Sequence, residues 1–243
     1  MNSLACDIGN SFVKFGLFKD NNLIIVMPVA TQDVKENKSY LFFLDKVKRI
    51  IISSVVKEVK NYLIKEFKKN KEIEIYNLSD LKLDLDISLY EKNKLGEDRI
   101  AACYYVYKFY KKNGIVVDLG SATTISCVKK DGIFLGGLIL PGIFTSYYFL
   151  DRIKDIMKED FVFHKKINYL ARSPKEGVKE GIKFFVFEGL NYLLKCYKKS
   201  LGKDFRIFLT GGLSFLFYHH LKEIDYFEPY LTLKGLNLLL NNI

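Results

Sequence analysis

The chain has 243 residues, 49% of them hydrophobic and 27% charged, with a formal net charge of +10. This is the balance of a globular protein with room for one large or two modest domains. No apolar stretch approaches the roughly 18 to 20 residues that cross a bilayer, and the first strand starts too early for a signal peptide's apolar core, so no membrane partner is expected. The lysines fall in short pairs at helix ends and loops, such as Lys68-Lys69, Lys111-Lys112 and Lys198-Lys199. The helix dipole favours cations there without any ligand, so no nucleic-acid partner is expected either.

In chain order, β-prone runs cover Leu4–Cys6, Phe12–Phe18 and Leu23–Val29. The stretch Lys38–Lys46 reads as helical, Arg49–Val55 as a strand, and Val56–Lys69 as a helix with lysines towards its end. Ile73–Tyr76 is a short strand, and Asn77–Asn93 reads as loop and short elements. Gly96–Lys112 has helical spacing at Ile100, Cys103, Tyr104 and Tyr107, with Glu97 and Asp98 in its first turn.

Asn113-Gly114 is the clearest break, which divides the chain into 1–112 and 113–243. After it the opening pattern recurs: Ile115–Asp118, Thr123–Val128 and Ile133–Leu140 are strands, with Asp131-Gly132 as a hairpin turn. A helix follows Pro141-Gly142, a long helical pattern runs over Lys175–Lys199, and Phe205–Leu209 is a strand ending at Thr210-Gly211-Gly212. A helix follows that turn, and the last one lies within Leu233–Leu240. The reading is α/β: two domains with mixed sheets, related by duplication and set around a central cleft. Cys6, Cys103, Cys127 and Cys196 are scattered without metal-ligand spacing, and a reducing cytoplasm suits them.

Each half opens on the same turn, Asp7-Ile8-Gly9-Asn10-Ser11 and Asp118-Leu119-Gly120-Ser121-Ala122. Asp-x-Gly between strands is common hairpin chemistry. Two copies at domain-scale spacing, each followed by further glycine signals, favour a jaw that grips nucleotide phosphates. Gly9 and Gly120 let backbone N–H groups approach anionic oxygens, and the two carboxylates can hold a cation. Other signals accompany the pair. Gly96-Glu97-Asp98-Arg99 sets acids and an arginine at a helix start, Gly136–Gly142 is a strand bracketed by glycine turns, and Thr210-Gly211-Gly212 could present N–H groups to a phosphate or ribose. No chemistry is legible in Leu231–Leu236.

In this order and spacing, the motifs resemble those of the type III pantothenate kinases. The matching stretches are Asp7–Gly16, Gly96–Arg99, Asp118–Thr124, Gly136–Gly142, Thr210–Gly212 and Leu231–Leu236, with Ile52–Val55 and Ala171–Gly181 also similar. The resemblance implies two actin-like (ribonuclease H-like) domains of the actin and hexokinase-like superfamily. The implied activity is ATP-dependent phosphorylation of pantothenate to 4'-phosphopantothenate, the first step of coenzyme A biosynthesis. It also implies roles. Asp7, Ile8, Gly9, Asn10, Ser11, Phe12, Val13 and Lys14 bind ATP, with Asp7 organising Mg²⁺. Gly96, Glu97, Asp98 and Arg99 bind pantothenate, and Asp98 takes the hydroxyl proton. Asp118 holds a monovalent cation, K⁺ or NH₄⁺, and Ser121 contacts ATP.

Serines stand at 11 and 121 where the family commonly has threonine, which keeps the hydroxyl. Pro174 stands where a substrate-contacting threonine is usual, with Ser173 as a possible stand-in, and Tyr90 is the nearest match to the family's substrate-binding tyrosine. Segments Phe144–Met157 and Phe184–Tyr197 carry a surplus of large apolar side chains, including Tyr147, Tyr148, Phe149, Phe185 and Phe187. Together with the family's habit, this points to a homodimer with pantothenate near the subunit contact. The competing readings are a superfamily kinase for another hydroxylated substrate and a non-catalytic regulatory protein of the same family. Retention of Asp7, Asp98, Arg99 and Asp118 together favours the kinase.

Overall fold

The computed structural model describes residues 2–91, 94–154 and 167–243. Lys92 and Asn93 of the expected loop, and 155–157 of the expected apolar segment, lie outside the described residues. No described helix is long and apolar enough to cross a membrane.

The first half folds as β1 (Asn2–Ile8), β2 (Phe12–Lys19), β3 (Asn22–Ala30), β4 (Arg49–Ser54), α1 (Lys57–Phe67), β5 (Glu74–Asn77) and α2 (Glu97–Tyr105). The sheet order is β3-β2-β1-β4-β5. β1 runs antiparallel to β2 and parallel to β4. As the central strand it is covered on both faces, which explains its unbroken apolar run from Leu4 to Cys6. Ser39–Lys46 is a 3₁₀ segment rather than an α-helix. It buries Tyr40, whose ring stacks on Phe15 at 4.9 Å, so ring packing sets its path. α1 turns Val59, Leu63 and Phe67 into the core at four-residue spacing. α2 continues as a π-turn, Val106–Tyr110, and ends at Lys111 in the left-handed region (φ 52°).

The second half repeats the plan with β6 (Gly114–Leu119), β7 (Ala122–Val128), β8 (Phe134–Pro141), α3 (Ile143–Lys154), α4 (Pro174–Phe184), α5 (Leu190–Leu201), β9 (Arg206–Thr210), α6 (Ser214–Phe217), β10 (Tyr226–Phe227) and α7 (Leu231–Asn241). Its sheet order, β10-β9-β6-β7-β8, is the first sheet's order with each strand replaced by its counterpart. β6 is parallel to β9, and β9 to β10. The expected long helix is α4 and α5 joined by a π-turn at Phe185–Gly189. Gly136 and Gly137 do not form a turn before the strand; they lie within β8 at φ 97° and 151°. β10 was not legible in the sequence, because two residues carry no periodicity.

By internal contacts the residues group into two units: Met1–Asn113, Ser126–Gly136 and Tyr230–Ile243 in one, and Gly114–Ile125 and Gly137–Pro229 in the other. The 126–136 stretch, although its strand residues belong to the second sheet, and the last helix thus group with the first unit, a division that no single cut at residue 113 produces. In the first unit, Ser3 Oγ donates to Asn237 Oδ1 at 2.6 Å, and Asn237 donates to the Asp20 carbonyl at 2.9 Å. A Cβ on Gly235 would collide with the Ala101 carbonyl of α2. The Leu231–Leu236 motif therefore works through packing: it seats α7 against the helix that begins with Glu97 and Asp98. Gly235→Ala should lower unfolding stability by about 2 kcal/mol, since overpacking outweighs the gain in helix propensity. The urea midpoint measures this, and an unchanged midpoint would mean that the two helices separate without cost.

Candidate active site

The turn between β1 and β2 is built for backbone exposure. Gly9 N–H donates to the Phe12 carbonyl at 3.0 Å, and Thr31 braces the loop from β3's end. Its Oγ1 donates to the Gly9 carbonyl at 2.8 Å and its N–H to the Ser11 carbonyl at 3.0 Å. Asn10, Ser11 and Phe12 are exposed, whereas Ile8 and Val13 are core residues. Ile8 and Val13 can therefore serve a nucleotide only through their main chain.

Asp7 is buried at the end of β1, across the ladder from Lys14. Ser53 Oγ donates to its carboxylate at 3.0 Å. Burial raises the Asp7 pKa; Lys14 opposes this, the Asp98 charge adds to it, Ser53 opposes it, and Glu97 adds a smaller push. A desolvated carboxylate facing further acids, with one lysine beside it, is a group that a divalent cation would relieve. Among the described residues no three His, Cys, Asp or Glu side chains gather as a metal cluster.

Gly96 occupies the N-cap position of α2, followed by Glu97, Asp98 and Arg99. A Cβ on Gly96 would lie 2.5 Å from Asp98 Oδ1, so glycine there makes room for the carboxylate. The same oxygen accepts the Arg99 N–H at 2.9 Å, which holds Asp98 over the helix start. Arg99 is buried; its Nε donates to Ser126 Oγ at 2.8 Å and its Nη1 to the Tyr90 hydroxyl at 3.2 Å. Its guanidinium carbon sits 5.5 Å from the Tyr90 ring centroid and 5.4 Å from that of Phe134. A guanidinium held this way in a low-dielectric setting suits a carboxylate. Glu97 Oε2 accepts the Ser54 N–H at 2.7 Å, and its Oε1 lies 3.6 Å from Lys60 Nζ. Ser53 lies in the Ile52–Val55 segment that the resemblance singled out without a role; Thr31, Ser126 and Phe134 escaped the sequence reading, and none of them carries a local signal.

In the second unit, the turn after Asp118 is one residue tighter than the first: Gly120 N–H donates to the Ala122 carbonyl, two residues on, at 3.1 Å, where Gly9 reaches three residues on. Two glycines lie against it. A Cβ on Gly142 would strike the Ser121 carbonyl, and one on Gly211 (φ 99°) would strike Asp118 Oδ1 and Leu119. Thr145 Oγ1 donates to the Ser121 carbonyl at 2.7 Å, and Leu213 N–H to the Leu119 carbonyl at 3.0 Å. Thr210-Gly211-Gly212 therefore packs on the Asp118 turn, and the helix after it, α6, spans only four residues. Ser173 caps α4, accepting the Glu176 N–H at 3.2 Å, and Pro174 sits exposed at its first position with no polar side-chain atom to offer a substrate.

Of the five aromatics expected at an interface, Tyr147 and Phe187 are buried, while Tyr148, Phe149 and Phe185 are 62%, 63% and 43% exposed. Of these, Phe185 lines an apolar pocket of about 270 Å³, with Leu119, Thr123, Ile143, Leu190 and Tyr192 among its other walls. The cysteines are all free. Burial raises the thiol pKa of Cys6 and Cys103 and pushes Cys127 up to about 12, so these three are core thiols rather than nucleophiles.

A family model, type III pantothenate kinase, matches residues 3–194. The chain is 27% identical over 257 residues to the type III pantothenate kinase of Endomicrobium trichonymphae, with 97% of each chain covered. It resembles the crystal structure of a Campylobacter jejuni protein provisionally described as a Baf family transcriptional activator, at 26% identity, 98% coverage of both chains and a TM-score of 0.63. At 10% identity it also shares its fold with the activator of 2-hydroxyisocaproyl-CoA dehydratase from Clostridium difficile, solved with ADPNP bound (TM-score 0.57, covering 100% of this chain and 95% of that one).

Proposed function

The chain belongs to the type III pantothenate kinase family, and we propose that it moves the γ-phosphoryl group of ATP to the primary hydroxyl of pantothenate. The product is 4'-phosphopantothenate, at the first step of coenzyme A biosynthesis. The observation that carries the reading is Asp98: a carboxylate at a helix start, given space by Gly96 and electrostatically coupled to buried Asp7.

Phosphoryl transfer needs positioning and charge neutralisation more than a strong base. Asp98 orients the hydroxyl and accepts its proton, and an ionised carboxylate suffices because the proton leaves late. Arg99, held by Ser126 and flanked by Tyr90 and Phe134, binds the pantothenate carboxylate. The exposed 10–12 stretch meets the phosphates, and Lys14 offers them a positive charge. Mg²⁺ held through Asp7 would neutralise charge on the phosphates. In the second unit, Ser121 is read as an ATP contact and Asp118 as the holder of K⁺ or NH₄⁺. ADP release measured with and without pantothenate, in potassium and in sodium buffer, tests these assignments together. Release that depends on pantothenate and is several-fold faster in potassium is expected. Equal rates in the two buffers would remove the cation role from Asp118.

The working unit is read as a homodimer, with Tyr148, Phe149 and Phe185 covered by a second copy. Light scattering at assay concentration should give twice the chain mass, and a fully active monomer would overturn the dimer. The Campylobacter likeness raises a regulatory reading, but a regulator need not keep Asp7, Asp98, Arg99 and Asp118. The same turnover assay separates the two.

A further inference from the structure

Glu97 stands within the Gly96–Arg99 motif, yet both its carboxylate oxygens are engaged by this chain. Oε2 accepts the Ser54 N–H at 2.7 Å, and Oε1 faces Lys60 at 3.6 Å, with both side chains largely buried. Ser54 ends β4, directly after Ser53, whose hydroxyl donates to Asp7. Two consecutive residues therefore hold the two acid-bearing segments, one through a side chain and one through the main chain. The β4 end is itself fixed. Val55 N–H donates to the Ile8 carbonyl at 3.0 Å, and Ser54 Oγ and the Val56 main chain bond each other at 3.0 Å.

We propose that Glu97 is a positioning residue rather than a pantothenate ligand: through Ser54 N–H it ties the start of α2 to the strand end that holds Asp7, and so sets where Asp98 stands relative to Asp7. A ligand role would require a substrate group to displace a short charge-assisted hydrogen bond. Lys60 complements this by offsetting the Glu97 charge beside two further carboxylates. The inference rests on the reading of Asp98 as the group that meets the substrate hydroxyl. Loss of the tie lets Asp98 drift, and a misplacement of about 1 Å costs up to roughly 10²-fold in rate.

The test compares steady-state kinetics of Glu97→Ala, Glu97→Gln and Lys60→Met, with Asp98→Asn in the same assay. Glu97→Ala should lower kcat by about 10- to 100-fold while KM for pantothenate and for ATP stay within threefold. Glu97→Gln keeps an oxygen for the Ser54 N–H and should recover most of that loss at an equal melting temperature. A rise in pantothenate KM with kcat held would overturn the proposal. So would a folded Glu97→Ala enzyme with kcat within threefold of wild type. If Glu97→Ala does not fold, Lys60→Met is read instead: a kcat lowered about threefold or more at unchanged KM supports the proposal, and an unchanged kcat overturns it. An active Asp98→Asn enzyme would instead bring down the underlying reading. An inactive one beside a normal Glu97→Ala enzyme would bring down this inference alone.

Discussion

Asp98→Asn should lower pantothenate-dependent turnover by on the order of 10² to 10⁴, because asparagine can orient the substrate hydroxyl but cannot take its proton. The fold should tolerate the change. Asp98 Oδ1 accepts the Arg99 N–H, and an amide oxygen can accept the same bond at a helix start. The contact with Gly96 is also isosteric. Rates and melting temperature of the purified variant decide it: near-normal turnover in a folded protein removes Asp98 from the mechanism.

Asp7→Asn should abolish activity, by on the order of 10² or more, and at the same time stabilise the ligand-free protein. Burial, then Asp98 and Glu97, raise the Asp7 pKa against the pull of Lys14 and Ser53. The sign follows from linkage. The native state holds the Asp7 proton to higher pH than the unfolded chain does. Stability therefore falls as pH rises from the ordinary carboxylate range through the raised value. Asparagine cannot ionise, so its gain in melting temperature should vanish below about pH 4 and grow as pH rises through the raised value. MgATP should then raise the melting temperature of wild type more than that of the variant. A variant that melts lower than wild type at neutral pH would show that Asp7 is stabilising as a charge.

What could be read from the sequence was local. The Asp-x-Gly turns, the glycine before Asp98 and the strand-rich opening of each half carry their structure within a few residues, and the repeated sheet order follows from them. What could not be read comes from long-range pairing. Ser53 reaches Asp7 only because β1 and β4 are neighbours, and Ser126 reaches Arg99 from a different hairpin. Helical spacing saw one helix across 175–199 but not its π-turn, since the local signal differs by a single residue per turn. Aromatic content alone did not separate buried Tyr147 and Phe187 from exposed Tyr148, Phe149 and Phe185. The Leu231–Leu236 motif had no chemistry to read because its glycine serves the packing of α7 on α2.

The most direct measurement is the identity of the product. Pantothenate, ATP, Mg²⁺ and potassium with the purified protein should give a singly phosphorylated pantothenate by mass spectrometry, equimolar with ADP and carrying its phosphate on the primary hydroxyl. ADP formed at the same rate without pantothenate, or pantothenate recovered unchanged, would contradict the account.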